Sequence, residues 1–395
     1  MRFPMNSILI QTILTLKRLK IRNNSIESIL NKSHITSLDF EQVRSAYNSF
    51  CDSNLHDSKQ GISESFEKAW DLSNEIIKIS DKNNVKILTK YDEGYPLLLK
   101  KISNPPLLLH AKGNVKILNT NCIAIVGTRE PTDYGKRIAL KTGETLAKEG
   151  YTIVSGLAKG TDSAAHEGSL NANGFTIAVL AHGLQTIYPA INRDLALRII
   201  DNNGVLISEH PWFTPLEPWE LIKRDRIQSG ISIGIFVVET GMKGGTMHTV
   251  NFCKEQKRFM IVLKHPERYA NIENIRGNQE LIQKNTNNKF FMPFNEEGGI
   301  TPIVEAVNNY KHYLFSADTT NPIKIEQIST NLLDSKLQQF ISENEKEDLS
   351  KFTTQGVLLP EDHSKDKSFK ITPHPKINKT KKTRRLKTSD QKDLI

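Results

Sequence analysis

The chain has 395 residues, 37% of them hydrophobic and 25% charged, with a formal net charge of +9 at neutral pH. That length predicts two or three folding units, and its apolar runs fall far short of a membrane span, which argues against a transmembrane protein. Three widely spaced cysteines (Cys51, Cys122, Cys253) point to neither a disulfide framework nor a zinc site, and predict a reducing cytoplasmic setting.

The first segment, MRFPMNSILIQTILTLKRLK, resembles a signal sequence only superficially. Gln11 interrupts its apolar stretch and no small-residue cleavage site follows, so it is read as a helix. Apolar residues at three- and four-residue spacings predict helices over 8–21, 24–30, 39–51 and 65–80, making 1–84 a helical N-terminal domain. Asp39 with Gln42 fits a capping box better than Ser65 with Lys68. No glycine-rich hairpin joins these helices, so a packing or protein-contact domain is expected there.

Residues 85–300 form the main domain. It opens with a connector over 85–121, whose Gly-Tyr-Pro and Asn-Pro-Pro punctuation fits an extended edge segment. Six short apolar runs follow: CIAIVG (122–127), YTIVSG (151–156), FTIAVLA (175–181), VLISEH (205–210), IGIFVVE (233–239) and FMIVLK (259–264). None alternates with polar residues, as expected of strands buried on both faces and covered by intervening helices. The predicted fold is α/β, a Rossmann-like doubly wound parallel sheet. Ligands of such a sheet gather at the carboxyl ends of its strands.

The turns at those ends carry the chemistry. After the first strand come Gly127, Thr128 and Arg129, then Tyr134 and Gly135 near the start of a helix. A helix N-terminus suits an anion, but the second and third glycines of a dinucleotide fingerprint are absent. Arg129 with Tyr134 suits a phosphate chain and a stacked base better than a pyrophosphate. The second turn supplies Gly156, Lys159 and Gly160, with Asp162 as a candidate cap and His166 read as a hydrogen-bonded structural histidine. The third adds Gly183, Tyr188 and Arg193, with Tyr188 a second candidate for base stacking. Arg224 and Arg226 precede the fifth strand, and Lys243, Gly244, Gly245 and Thr246 follow it. One such turn is weak evidence. Five along one sheet edge predict a groove for a polyanion or nucleotide, with no nucleophile pattern, metal set or catalytic centre beside it.

Beyond 264 the pattern is irregular to about 299. A helix over 302–315 opens a short helical extension, 301–345, with another short helix over 331–344. From 346 the composition turns polar and a disordered basic tail is expected. Eleven Lys/Arg and three acidic residues from Ser364 onward carry eight of the nine net positive charges. The folded body is therefore nearly neutral, and the high net charge is no evidence that it binds nucleic acid.

Over about 95–284 the sequence resembles the DNA-processing protein A (DprA/Smf) family, through YPLLLKKISNPPLLLHAKGN, IVGTREPTDYG, SGLAKGTDSAAH, GLQTIYPAINRDL, SEHP, RDRIQSGIS, KGGTMHT and RGNQELI. The resemblance implies an extended Rossmann-like fold that binds single-stranded DNA, forms a homodimer and loads the RecA recombinase during natural transformation, without catalysis or a cofactor. It implies DNA contacts at Arg129 and Lys159, and less directly at Arg224 and Arg226. The chain departs from the pattern at Asp225, where the family usually has Asn, and at KGGTMHT, where a run like SGSLIT is usual. Nothing after 345 resembles a winged-helix domain. The alternative is a nucleotide-binding or nucleotide-hydrolysing Rossmann relative, because Gly244–Thr246 is similar to the phosphate turn of lysine-decarboxylase-like hydrolases. That turn normally has a Glu soon after, and residues 247–251 contain none.

Overall fold

A computed structural model describes residues 5–32, 39–53, 65–285, 287–297, 299 and 301–316. They belong to one compact unit, Met1–Ile323. A second unit, Lys324–Ile395, holds the expected helix over 331–344 and the basic tail, and lies outside the described residues.

Four helices come first: α1 (Met5–Arg18), α2 (Asn23–Lys32), α3 (Phe40–Ser53) and α4 (Phe66–Lys82). Their apolar faces share one cluster, including Ile13, Leu16, Leu30, Val43 and Ile76, with Phe40, Phe66 and Trp70 packed ring against ring at 5.5–6.0 Å. Asp39 and Gln42 form the reciprocal capping box that starts α3, at 2.9 and 3.1 Å. Ser65 caps α4 through Lys68 N at 3.3 Å, without a reciprocal bond.

The connector is more structured than an extended edge segment. It folds as β1 (Val85–Thr89), α5 (Leu97–Lys100) and β2 (Leu108–Gly113), two antiparallel strands that extend the sheet. Ile87, Leu107 and Leu108 join the helical cluster, so this hairpin is the surface on which the N-terminal helices pack.

The six expected strands are all present: β3 (Cys122–Val126), β4 (Thr152–Ser155), β5 (Thr176–Leu180), β6 (Val205–Ser208), β7 (Gly234–Val237) and β8 (Phe259–Leu263). Every residue in them is buried, because helices cover both faces. Those helices are α6 (Asp133–Lys148), α7 (Thr161–Asn171), α8 (Arg193–Asp201), α9 (Pro218–Ile231), α10 (Gly245–Glu255), α11 (Arg276–Lys284) and α12 (Thr301–Ser316). A further strand, β9 (Phe291–Phe294), lies in the stretch whose sequence is irregular. Among the described residues it pairs only with β8, an edge position that tolerates Pro293.

The sheet order is β1-β2-β6-β5-β4-β3-β7-β8-β9, parallel from β6 to β9, with β2 antiparallel to β6. From β3 the chain winds outward through β4, β5 and β6, then crosses back to β7 on the other side. Progression reverses between β3 and β7, and the crevice at their carboxyl ends is where such sheets bind ligands. Among the described residues no helix is long and apolar enough to cross a membrane.

Candidate functional site

The first two turns interlock. Thr128 N donates to Glu239 O at 2.8 Å, and Thr161 donates to Thr128 O from both N and Oγ1, at 3.2 and 3.0 Å. Gly127 lies against the Thr161 side chain. Gly160, at φ +78°, packs on the Arg129 carbonyl, where any Cβ would collide with backbone. This contact sets Arg129 beside the Lys159–Gly160 turn. Both cations are exposed, and neither has a carboxylate partner among the described residues.

The N-terminus of α6 is not free to take an anion. The Glu239 carboxylate, fully buried at the end of the β7 segment, accepts from Thr132 N at 2.8 Å and Thr132 Oγ1 at 2.5 Å. His265 Nε2 contacts the same carboxylate at 3.1 Å. Gly135 is glycine because a Cβ there would strike Glu239. An internal carboxylate thus occupies the position an external phosphate would take. The expectation that this helix start serves an external anion is corrected, and Gly135 belongs to the internal cap.

Tyr134 is likewise committed inside. It is 5% exposed, stacks on Tyr269 at 5.2 Å, meets His265 edge-on and carries the Arg137 guanidinium over its ring. No face remains for a base, whereas Tyr188 is 48% exposed.

Arg224 and Arg226 stand two residues apart on α9 and point to different places. Arg224 donates to the Gly156 and Val179 carbonyls at the ends of β4 and β5, and from Nε to Asp225 at 3.1 Å. It ties strand ends together and presses on Gly156, with one side facing the crevice. Arg226 reaches Glu209 at 2.6 Å and the Asn104 carbonyl at 3.1 Å. Lys17 of α1 also meets Glu209, so Arg226 belongs to the junction with the N-terminal helices. It does not line the crevice, and a groove role for it is corrected.

The crevice itself is a cavity of about 800 Å³ between the β3 and β7 ends. Arg129 lines one rim. Lys243, Gly244, Gly245 and Thr246 line the other as the turn that starts α10, with Gly244 at φ +149°. The start of α10 thus borders the same space, a helix end of the kind that suits an anion. Leu221, Ile222 and Met242 form apolar walls, and Ile222 and Met242 are exposed. The floor holds Arg224, Gln228 and two buried carboxylates, Asp162 and Asp225. Asp162 does not cap its own helix. It reaches back to Gly156 N at 3.0 Å and Ala158 N at 3.3 Å and holds the second turn in shape. Burial raises its pKa, against the pull of the Arg224 guanidinium. Burial also pushes Asp225 up to about 6, with Arg224 opposing and the Asp162 charge adding.

His166 keeps its structural role. Its Nδ1 meets Thr176 Oγ1 at 2.6 Å, and complete burial pushes its pKa down to about 3. Ile222, Met242 and Glu239 are the residues that sequence reasoning missed. Only Glu239 left a signal, as a carboxylate closing an otherwise apolar strand. Asn278, within RGNQELI, holds the β7 end by bonding Thr240 N, Val238 O and Leu263 O at 2.8–3.0 Å. Among the described residues no group of three or more His, Cys, Asp or Glu is placed to hold a metal ion.

The sequence model of the family described as DNA recombination-mediator protein A matches residues 86–291. DNA processing protein DprA of Bacillus subtilis is 41% identical over 177 residues, which are 45% of this chain and 58% of that protein. Protein Smf of Escherichia coli is 37% identical over 186 residues, 47% of this chain and 50% of that protein. The matched segments thus span little more than half the length of these relatives. The X-ray structure of DNA processing protein A from Streptococcus pneumoniae superposes with a TM-score of 0.57 at 25% identity, covering 72% of this chain and 94% of that one.

Proposed function

Because the chain belongs to the DNA recombination-mediator protein A family, we propose that it binds single-stranded DNA at the carboxyl ends of β3, β4 and β7. The observation that carries this is the placement of three exposed cations without carboxylate partners among the described residues: Arg129 and Lys243 line one crevice, and Lys159 stands on the turn whose Ala158 lines it. Backbone phosphates lie across these turns, with Arg129 and Lys159 as charge partners and Gly127, Thr128 and the Lys243–Thr246 turn offering backbone and hydroxyl donors. A concave site rimmed by cations and walled by apolar side chains suits a strand whose bases are free to leave the stack. A duplex keeps its bases paired and offers the cavity nothing to fill it.

Loading of a RecA recombinase onto the bound strand, homodimerisation and a cytoplasmic location without a cofactor or catalytic step complete the proposal. The family resemblance supports them. The α10 turn favours one rival, a site for a free nucleoside phosphate.

Titrating the protein against oligo(dT), a duplex of equal length and a mononucleotide separates the alternatives. Binding is expected to rank oligo(dT) far above duplex and mononucleotide. Tight mononucleotide binding with no gain for the oligonucleotide would overturn the single-strand reading.

A further inference from the structure

The crevice is electrically divided. Its rim sets Arg129 and Lys243 against the single carboxylate of Glu273, while its floor sets the Asp162 and Asp225 carboxylates against the single Arg224 guanidinium. A phosphate is attracted to the rim and repelled by the floor. The walls between, where Ile222 and Met242 expose apolar surface, suit the flat face of a base. A volume of about 800 Å³ leaves room for one base and its sugar.

We propose that this cavity takes one unstacked base of the bound strand, and that the Asp225 carboxylate selects guanine there. The inference rests on the single-strand reading and adds a base preference to it. The two floor carboxylates are not equivalent. Asp162 is engaged by two backbone N–H groups and the Ser155 hydroxyl, whereas Asp225 receives two donors, Arg224 Nε and the Thr249 hydroxyl. Guanine alone presents two adjacent donors, N1–H and N2–H, that match the two oxygens of a carboxylate. Adenine and cytosine set one amino group beside an acceptor. Thymine sets its single N–H between two carbonyls, which a carboxylate repels. A carboxylate has about four lone-pair sites, so two donors leave Asp225 able to accept two more from a ligand.

The charge state supplies a second signature. The groups facing Asp225 are Arg224 on its own helix, Asp162 from the start of α7 and Thr249 from α10, with Arg129, Lys243 and Glu273 around the rim. Above about pH 6 Asp225 is ionised and accepts guanine's donors. Below that it is neutral, the preference fades, and repulsion of the nearby phosphates is relieved.

The test uses the full chain and four oligonucleotides: oligo(dT), and oligo(dT) with one central dG, dA or dC, followed by fluorescence anisotropy at pH 7.5 and pH 5. At pH 7.5 a single dG is expected to tighten binding about tenfold over oligo(dT), and dA or dC no more than about threefold. At pH 5 the dG advantage shrinks while oligo(dT) binds more tightly. D225N removes the dG advantage at both pH values and binds oligo(dT) more tightly than the parent. Equal affinity for all four by the parent, or a dG advantage that survives in D225N, overturns the guanine proposal and leaves the single-strand reading standing. Failure to bind any of the four refutes both.

Discussion

Replacing Arg129 and Lys159 together by alanine removes the two cations carried by the interlocked first and second turns. Each is exposed and pairs with no carboxylate among the described residues, so neither contributes a buried interaction to the fold. A charge-assisted phosphate contact contributes on the order of 1.5–3 kcal/mol. The Arg129 carbonyl packs against Gly160, next to Lys159, so the two contacts share one segment of backbone and their losses are expected to couple. The double variant is therefore expected to lose about 2–4 kcal/mol, roughly 30- to 1,000-fold in affinity for oligo(dT). Two phosphate contacts fewer also flatten the dependence of log K on log[salt] by about 1.4. The melting temperature should stay close to the parent, since surface substitutions of this kind change stability by about 0.5 kcal/mol or less. Arg129→Lys alone should recover only part of the affinity, because a point ammonium cannot copy a two-pronged guanidinium. Anisotropy across a salt series, with a thermal melt of each variant, measures all of this. Unchanged affinity and salt slope in a folded double variant would refute the assignment of these residues to phosphate.

The internal cap of α6 predicts that Gly135→Ala and Glu239→Ala each destabilise the fold by on the order of 2–4 kcal/mol in chemical denaturation. The first forces the buried carboxylate out of place, and the second strips Thr132 of its acceptor. His110 and His166, fully buried, are both pushed down to about 3 by burial, below an ordinary value near 6.5. Their stabilising effect is complete above about pH 6.5 and is lost as pH falls from there, by up to about 1.4 kcal/mol per pH unit for each. Asp225, raised in the fold, works oppositely between about pH 6 and 4, so D225N should be more stable than the parent at pH 7 and lose stability more steeply on acidification. Denaturation at pH 7, 6 and 5 tests both signs, and a flat profile in both proteins contradicts them. A chain ending at Glu345 is expected to retain single-strand binding, with the basic tail adding only non-specific affinity; binding confined to an isolated tail peptide would place the site elsewhere.

Local physics made much of the molecule legible in its sequence. Six runs without polar alternation had to be buried on both faces, which leaves a parallel sheet with helices on either side as the natural solution. The Asp39–Gln42 cap and the α10 turn at Gly244 depend on neighbours a few residues apart, and a parallel sheet brings the turns that follow its strands to one edge. The strands of the connector were obscured by the proline and glycine punctuation between them, and β9 by its proline. Sequence spacing could not say where buried charges find their partners. Arg224 and Arg226 look equivalent in the chain, yet their partners Gly156 and Glu209 lie on different elements and draw them apart. Glu239 occupies the α6 start across 107 residues of chain, and only the pairing of β3 with β7 brings the two together. Periodicity and turn chemistry are short-range and survive in the sequence. The satisfaction of a buried charge is settled by whichever distant backbone the folded sheet carries beside it, so only the tertiary structure decided which candidate residues face the crevice.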